Sequence, residues 1–195
     1  LFSAISRMQR DFHVDPDRVF LTGHSMGGHL TWRSAFWFAD HWAAVSPMSG
    51  GYDYVKSQDV FNLVNVPGYT TFGTDEPYQI NEFNRTIATW MREHGYPWTC
   101  VEKQGGHTIF PDEVQKVASF FAAQHRDLYR KKVWARVGAT RFTTAESNPQ
   151  WVVQHTWNAA RPIELSTMFW LRFFEPAADV PAERRLQKVF AEVQG

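Results

Sequence analysis

Five consecutive residues, Gly23-His24-Ser25-Met26-Gly27, stand directly after the apolar run Val19-Phe20-Leu21 and directly before a helix-like stretch. A chain that passes from strand to helix over so few residues turns too sharply for ordinary side chains to flank the middle position. Glycines two positions either side of Ser25 are expected to relieve that crowding, leaving the serine in a strained backbone conformation. Gly28 is expected to let the following helix pack close to a sheet. The turn exposes the Ser25 hydroxyl at a helix N-terminus, where the Met26 backbone N–H and the positive end of the helix can face a developing oxyanion. The pattern predicts a nucleophilic serine at the carboxyl end of a strand, although the pentapeptide read alone also fits a glycine-rich turn.

The rest of the chain must then supply a sheet, and its length of 195 residues suffices for one well-filled domain with a small appendage. Twenty basic and twenty acidic residues cancel, which gives no electrostatic reason to expect nucleic acid or an anionic membrane as partner. A neutral or modestly charged small molecule is the expected ligand. Sixteen Phe and nine Trp are read as core packing in preference to a substrate pocket. Cys100 is the single cysteine, so no internal disulfide forms, and its setting in Trp98-Thr99-Cys100-Val101 predicts a buried strand position. No apolar stretch approaches the roughly 20 residues of a membrane helix, and no signal peptide is visible. The chain opens on Leu1, and its first helix runs straight into the strand before Ser25, as expected of a piece of a longer protein. Nothing in the sequence speaks to compartment or oligomeric state.

Helical spacing places Leu1, Ile5, Met8 and Phe12 on one face, ended by Val14-Asp15-Pro16-Asp17. Arg18–Thr22 reads as a buried strand, Ser25 to about Phe38 as a helix, and Trp42–Ser46 as the next strand, with a loop over Pro47–Gly51. Tyr52–Val66 is less regular. The run Tyr69-Thr70-Thr71-Phe72 predicts a strand that ends at Gly73-Thr74-Asp75, where catalytic residues of open α/β sheets sit. Ile80–His94 follows as a helix with Ile80, Phe83, Ile87 and Met91 on one face, closed by Gly95 and Pro97. Thr99–Lys103 predicts a strand, Gln104-Gly105-Gly106-His107 a flexible loop, and Pro111 to about His125 a helix opened by proline and two acids. Beyond residue 125 the texture changes to strand-like pieces at Val133–Val137, Trp151–Val153 and Met168–Leu171, with helical spacing over Pro181–Val193. The expected organisation is an α/β domain over residues 1–125, with helices on both faces of a mostly parallel sheet, and a β-rich extension over residues 126–195.

A serine hydroxyl is a poor nucleophile at neutral pH; it needs a histidine to take its proton and a carboxylate to orient and stabilise that histidine. His107, in its glycine-rich loop, is the expected base. His13, His41, His94 and His125 lie at or near helix ends, His155 lies in the extension, and His24 is read as a filler of the turn more than a catalyst, set beside Met26 as a candidate oxyanion or substrate-binding residue. Asp75 is the expected acid, in competition with Glu76 beside it and with Asp53, Asp59 and Asp112. His24 and His29 are five residues apart, Cys100 has no cysteine partner and no H-E-x-x-H occurs, so neither a metal nor another cofactor is expected.

These residues resemble the α/β-hydrolase superfamily, within it the feruloyl esterase, polyhydroxybutyrate depolymerase and prolyl oligopeptidase-like group. The resemblance is carried by the run from Asp17 to Gly28, by Ala43–Gly51, by Phe72-Gly73-Thr74-Asp75 and by Gly105-Gly106-His107-Thr108. It implies an α/β-hydrolase fold with Ser25 as nucleophile, His107 as base, Asp75 as acid and the Met26 amide as one oxyanion donor; in such enzymes the second donor comes from a loop that precedes the helix with which this chain opens. The Arg126–Trp134 segment is similar, more loosely, to the C-terminal extension of large bacterial hydrolases. The leading expectation is hydrolysis of carboxylic esters through an acyl-serine intermediate. A serine peptidase and a non-catalytic hydrolase-fold binding protein are the rivals.

Overall fold

The computed structural model describes residues 1–51, 59–129, 132–137, 167–168, 171–172 and 187–192. The chain divides into two compact units, Leu1–Asp127 and Leu128–Gly195. In the first, helix α1 (Phe2–Asp11) precedes strand β1 (Phe20–His24), helix α2 (Met26–Trp37), strands β2 (Ala44–Met48) and β3 (Gly68–Gly73), helix α3 (Ile80–Glu93), strand β4 (Trp98–Lys103) and helix α4 (Pro111–Ala122). Short 3-10 turns cover Pro16–Arg18, Ala39–His41 and Asp59–Asn65. The four strands form a parallel sheet in the order β1-β2-β3-β4.

Every residue of β2 and β3 is buried, as expected for central strands of a parallel sheet covered on both faces. The flanking strands β1 and β4 are only half-buried. The expectation of a buried strand before Ser25 is therefore corrected: among the described residues β1 pairs with β2 alone, and a strand with one neighbour is less covered. Cys100 on β4 is likewise half-buried, and burial still raises its thiol to about 11. β2 runs on through Pro47 and Met48, which sequence assigned to a loop, because both stay in register with Gly23 and His24 of β1.

Aromatic residues fill the core. Trp32 of α2, wholly buried, stacks on Trp98 at a centroid distance of 4.7 Å, meets Phe83 of α3 edge-on at 5.6 Å and donates its indole N–H to the Gly50 carbonyl at 3.2 Å. On α3, Ile80, Ile87 and Met91 are buried, as the helical spacing predicts. Across the sheet α4 buries Glu113 and Val117. The Tyr69 hydroxyl donates to Glu113 Oε2 at 2.8 Å and Lys116 donates to Oε1 at 2.7 Å. Burial works against the Glu113 charge, yet these two donors hold its carboxyl below the usual range. The α1 face is different: Phe2 packs on Phe38 at 4.8 Å, whereas Met8 and Phe12 are exposed.

Arg126 falls within the first unit, held to Asp17 by side-chain bonds of 2.8 and 3.0 Å and by its own backbone N–H. In the second unit, β5 (Lys132–Val137) pairs antiparallel with β8 (Gln187–Glu192), and β6 (Thr167–Met168) with β7 (Leu171–Arg172). Residues 187–192 thus form a strand where spacing suggested helix. Cross-strand partnering of Val133 with Ala191 and Ala135 with Val189 overrides the local 3.6-residue pattern. The strand expected at Trp151–Val153, together with His155 and Asp53, lies outside the described residues.

Candidate active site

Ser25 occupies the single residue between β1 and α2, with φ 56° and ψ −115°. That left-handed backbone is costly for a residue with a Cβ and persists only where the surroundings over-determine it. Here the Ser25 N–H donates to the Met48 carbonyl at 3.0 Å and the Ser25 carbonyl accepts from His29 at 2.9 Å. A Cβ at Gly23 would fall 2.6 Å from the Gly27 carbonyl carbon, and one at Gly28 would fall 2.6 Å from the Met48 oxygen. Both glycines are required by close approach. Gly27 is not: a Cβ there meets nothing within 4 Å, so the crowding is one-sided and Gly23 alone relieves it.

The Ser25 side chain makes no cap to its own helix, which leaves Oγ for His107. His107 Nε2 lies 2.7 Å from Ser25 Oγ, and its Nδ1 lies 2.5 Å from Glu76 Oε2. The carboxylate is Glu76, not Asp75. The Glu76 side chain has no solvent exposure, and its second oxygen accepts from the Gly73 N–H at 3.0 Å. Asp75 is exposed; its carboxylate accepts from the Thr74 hydroxyl at 3.2 Å, and its backbone N–H donates to the Gly105 carbonyl at 2.9 Å. That backbone bond fixes residue 75 with its side chain outward and sends the next side chain in.

Two loops separated by thirty residues of chain are thereby zipped together. Thr74 N–H donates to the Lys103 carbonyl at 2.9 Å, and Gly105 N–H donates to Thr74 Oγ1 at 3.2 Å. A Cβ at Gly73 would stand 2.4 Å from the Gly105 oxygen and 2.5 Å from that of Gly106, so only glycine permits the approach. Ser49, itself at φ 44°, donates its hydroxyl to the Thr108 carbonyl at 3.1 Å and pins the histidine loop to the end of β2. Asn81 donates to the Thr74 carbonyl at 2.9 Å on the other side. Neither role was legible in advance: Ser49 meets a carbonyl 59 residues along the chain, and Asn81 reaches back seven residues to the loop after β3.

His24, at the end of β1, places its ring 4.9 Å from that of His107, and its Nε2 is buried with no hydrogen-bond partner among the described residues. Burial, then the His107 charge, lowers the His24 imidazole below its ordinary value, against the pull of Glu76 and of the Thr108 backbone. Met26 begins α2, so its N–H belongs to the first turn, whose donors have no intrahelical acceptor. His29 Nδ1 accepts from Gly51 N–H at 3.0 Å. Asp112 pairs with Lys103 at 2.6 Å. Asp15, Asp17 and His125 bring ligand-type atoms within 4.8 Å of one another, but Asp17 is already paired with Arg126. No described helix is long and apolar enough to cross a membrane.

No protein-family model and no curated protein sequence matches the chain. Solved structures do. A thermostable esterase aligns over 64% of this chain and 36% of its own at 22% identity, with a TM-score of 0.52. A ferulic acid esterase aligns over 62% and 58% at 18% identity and 0.51, and a Bacillus cereus carboxylesterase over 60% and 55% at 14% identity and 0.51. This chain has the α/β-hydrolase fold. It spans 36% to 58% of the length of these neighbours, and at such identities the likeness is one of fold.

Proposed function

We propose that the chain carries the nucleophile, base and acid of a serine hydrolase acting on carboxylic esters. The reading rests on one observation, the continuous hydrogen-bonded line from Ser25 Oγ through His107 to Glu76. In this mechanism His107 Nε2 takes the hydroxyl proton as Oγ attacks the ester carbonyl, and Glu76 holds the imidazole in the tautomer with Nδ1–H and stabilises the imidazolium. The Met26 N–H, backed by the α2 N-terminus, donates to the oxyanion of the tetrahedral intermediate. That intermediate collapses with cleavage of the bond to the alcohol oxygen, which leaves with the proton from His107. Water, deprotonated by the same imidazole, then attacks the acyl-serine and regenerates Ser25. His24 lies beside His107, and burial and then the His107 charge hold its imidazole below the ordinary value. The esterase names of the neighbouring structures favour an ester over an amide substrate.

Intact mass after treatment with a fluorophosphonate tests this reading, since labelling needs an activated serine and no knowledge of substrate. One adduct on the wild type that is lost in Ser25→Ala is the expected result. Folded protein that takes no adduct, or takes one that survives the substitution, removes Ser25 from the mechanism.

A further inference from the structure

We propose that His24 is a positioning residue for His107, its ring braced against that imidazole so that Nε2 stays directed at the Ser25 oxygen. The inference rests on the proposed roles of Ser25 and His107. The two ring centroids lie 4.9 Å apart with their planes tilted by 42°, inside the range of about 4.5–7 Å at which aromatic rings attract one another. His107 needs such a support. Its side chain is 29% exposed, and Gly105 and Gly106, which precede it, bring no side chain to lie against its ring. The bonds from its two nitrogens to Glu76 and Ser25 define a line about which the ring can still rock. Once Ser25 is acylated its oxygen has no proton to share, so the bond at Nε2 is lost at the stage when that nitrogen must take a proton from water. Glu76 then holds one end of the ring and His24 packs against it. A misplacement of about 1 Å is enough to slow a reaction on the order of 10²-fold.

The sheet fixes the brace itself. His24 stands in register with Met48 of β2, whose carbonyl accepts the N–H of the next residue, Ser25, at 3.0 Å. Nucleophile and brace therefore share one anchor. The Thr108 carbonyl, one residue beyond His107, accepts the Ser49 hydroxyl at 3.1 Å, and the Thr108 backbone also favours a proton on the His24 ring. Residues at the ends of β1 and β2 thus converge on the loop that carries His107. His24 Nε2 takes no part in this, being buried with no hydrogen-bond partner among the described residues. An unpaired buried nitrogen is unfavourable, so the ring and not that atom makes the useful contact, and phenylalanine is the decisive replacement.

Hydrolysis of p-nitrophenyl acetate by the wild type, His24→Phe, His24→Gln and His24→Ala tests the brace, together with the downfield proton resonance of the His107 Nδ1–H. Phenylalanine keeps a ring, glutamine a polar chain of similar reach, and alanine neither. In the Gln and Ala variants kcat is expected to fall about tenfold with KM within about twofold of wild type, and in His24→Phe kcat is expected to stay within about twofold. The Nδ1–H signal is expected to broaden by exchange with water in the Gln and Ala variants and to stay sharp in His24→Phe, a pattern that a loss of global stability does not give. Gln and Phe both fill the position, so their comparison stands even where His24→Ala does not fold. Wild-type kcat in His24→Gln, or a loss in His24→Phe equal to that in His24→Gln, overturns the brace while leaving Ser25 in place. A folded wild type on which a fluorophosphonate leaves no adduct overturns the reading of Ser25 and the brace with it.

Discussion

Ser25 and the pair formed by Glu76 and His107 are positioned in opposite ways. The serine is placed mainly by its immediate neighbours, since Gly23 gives way to Gly27 and one strained residue joins β1 to α2, with Met48 of the adjacent strand accepting its N–H. Glu76 and His107 meet only because β3 and β4 run side by side and their following loops exchange backbone bonds at Thr74, Asp75 and Gly105. A local device is written in consecutive residues. A device assembled across the sheet is written in the register of two strands, where shifting one residue turns an inward carboxylate outward.

The largest expected effect separates the two acids. Glu76→Gln should lower kcat about 10⁴-fold by mis-setting the imidazole tautomer, whereas Asp75→Asn should change it by less than about threefold; steady-state rates on a p-nitrophenyl ester decide. Next comes the loop junction. Gly73→Ala places a methyl group against two carbonyl oxygens and should cost about 1–3 kcal/mol in denaturant unfolding, together with activity. The matching change in the serine turn, Gly27→Ala, meets open space and should raise stability by about 0.5–1 kcal/mol through helix propensity. A loss of stability at Gly27 would show that the turn is crowded on both sides after all.

The strand, helix, strand order of residues 19–48 and the place of His107 were legible because apolar runs, glycine positions and proline stops are local signals. Ser25 was legible for the same reason. The choice between Asp75 and Glu76 was not: both follow the same strand, and what separates them is the bond from Asp75 N–H to Gly105, thirty residues away. The aromatic load is core as expected at Trp32, Phe36, Trp42 and Phe72, yet Met26 and Tyr78 are exposed, which composition cannot foretell. Residues 187–192 misled for a related reason, since Val189 and Phe190 fit a helical spacing until β5 is there to pair with them.

Smaller effects probe the support on either side of the sheet. Glu113→Ala should cost about 1–3 kcal/mol by leaving the buried Tyr69 hydroxyl without its acceptor, and Glu113→Gln less. The Tyr69 phenol, pushed up to about 12 by burial and then by Glu113, should titrate lower in the Ala variant, read by ultraviolet absorbance. The smallest effect concerns His24. Its folded-state imidazole binds a proton at lower pH than the unfolded value of about 6.5. Between those two values the unfolded chain holds more protons, so stability falls as pH drops through that window. His24→Gln should flatten that part of the stability curve, and an unaltered slope would place the titration elsewhere.

The downfield proton resonance of the His107 Nδ1–H, recorded for the wild type, Glu76→Gln and Asp75→Asn, bears most directly on the arrangement of the site. A proton held at 2.5 Å between imidazole and carboxylate should give a resolved signal in the wild type and in Asp75→Asn, and lose it in Glu76→Gln. A signal that survives Glu76→Gln and vanishes in Asp75→Asn would contradict the pairing of Glu76 with His107.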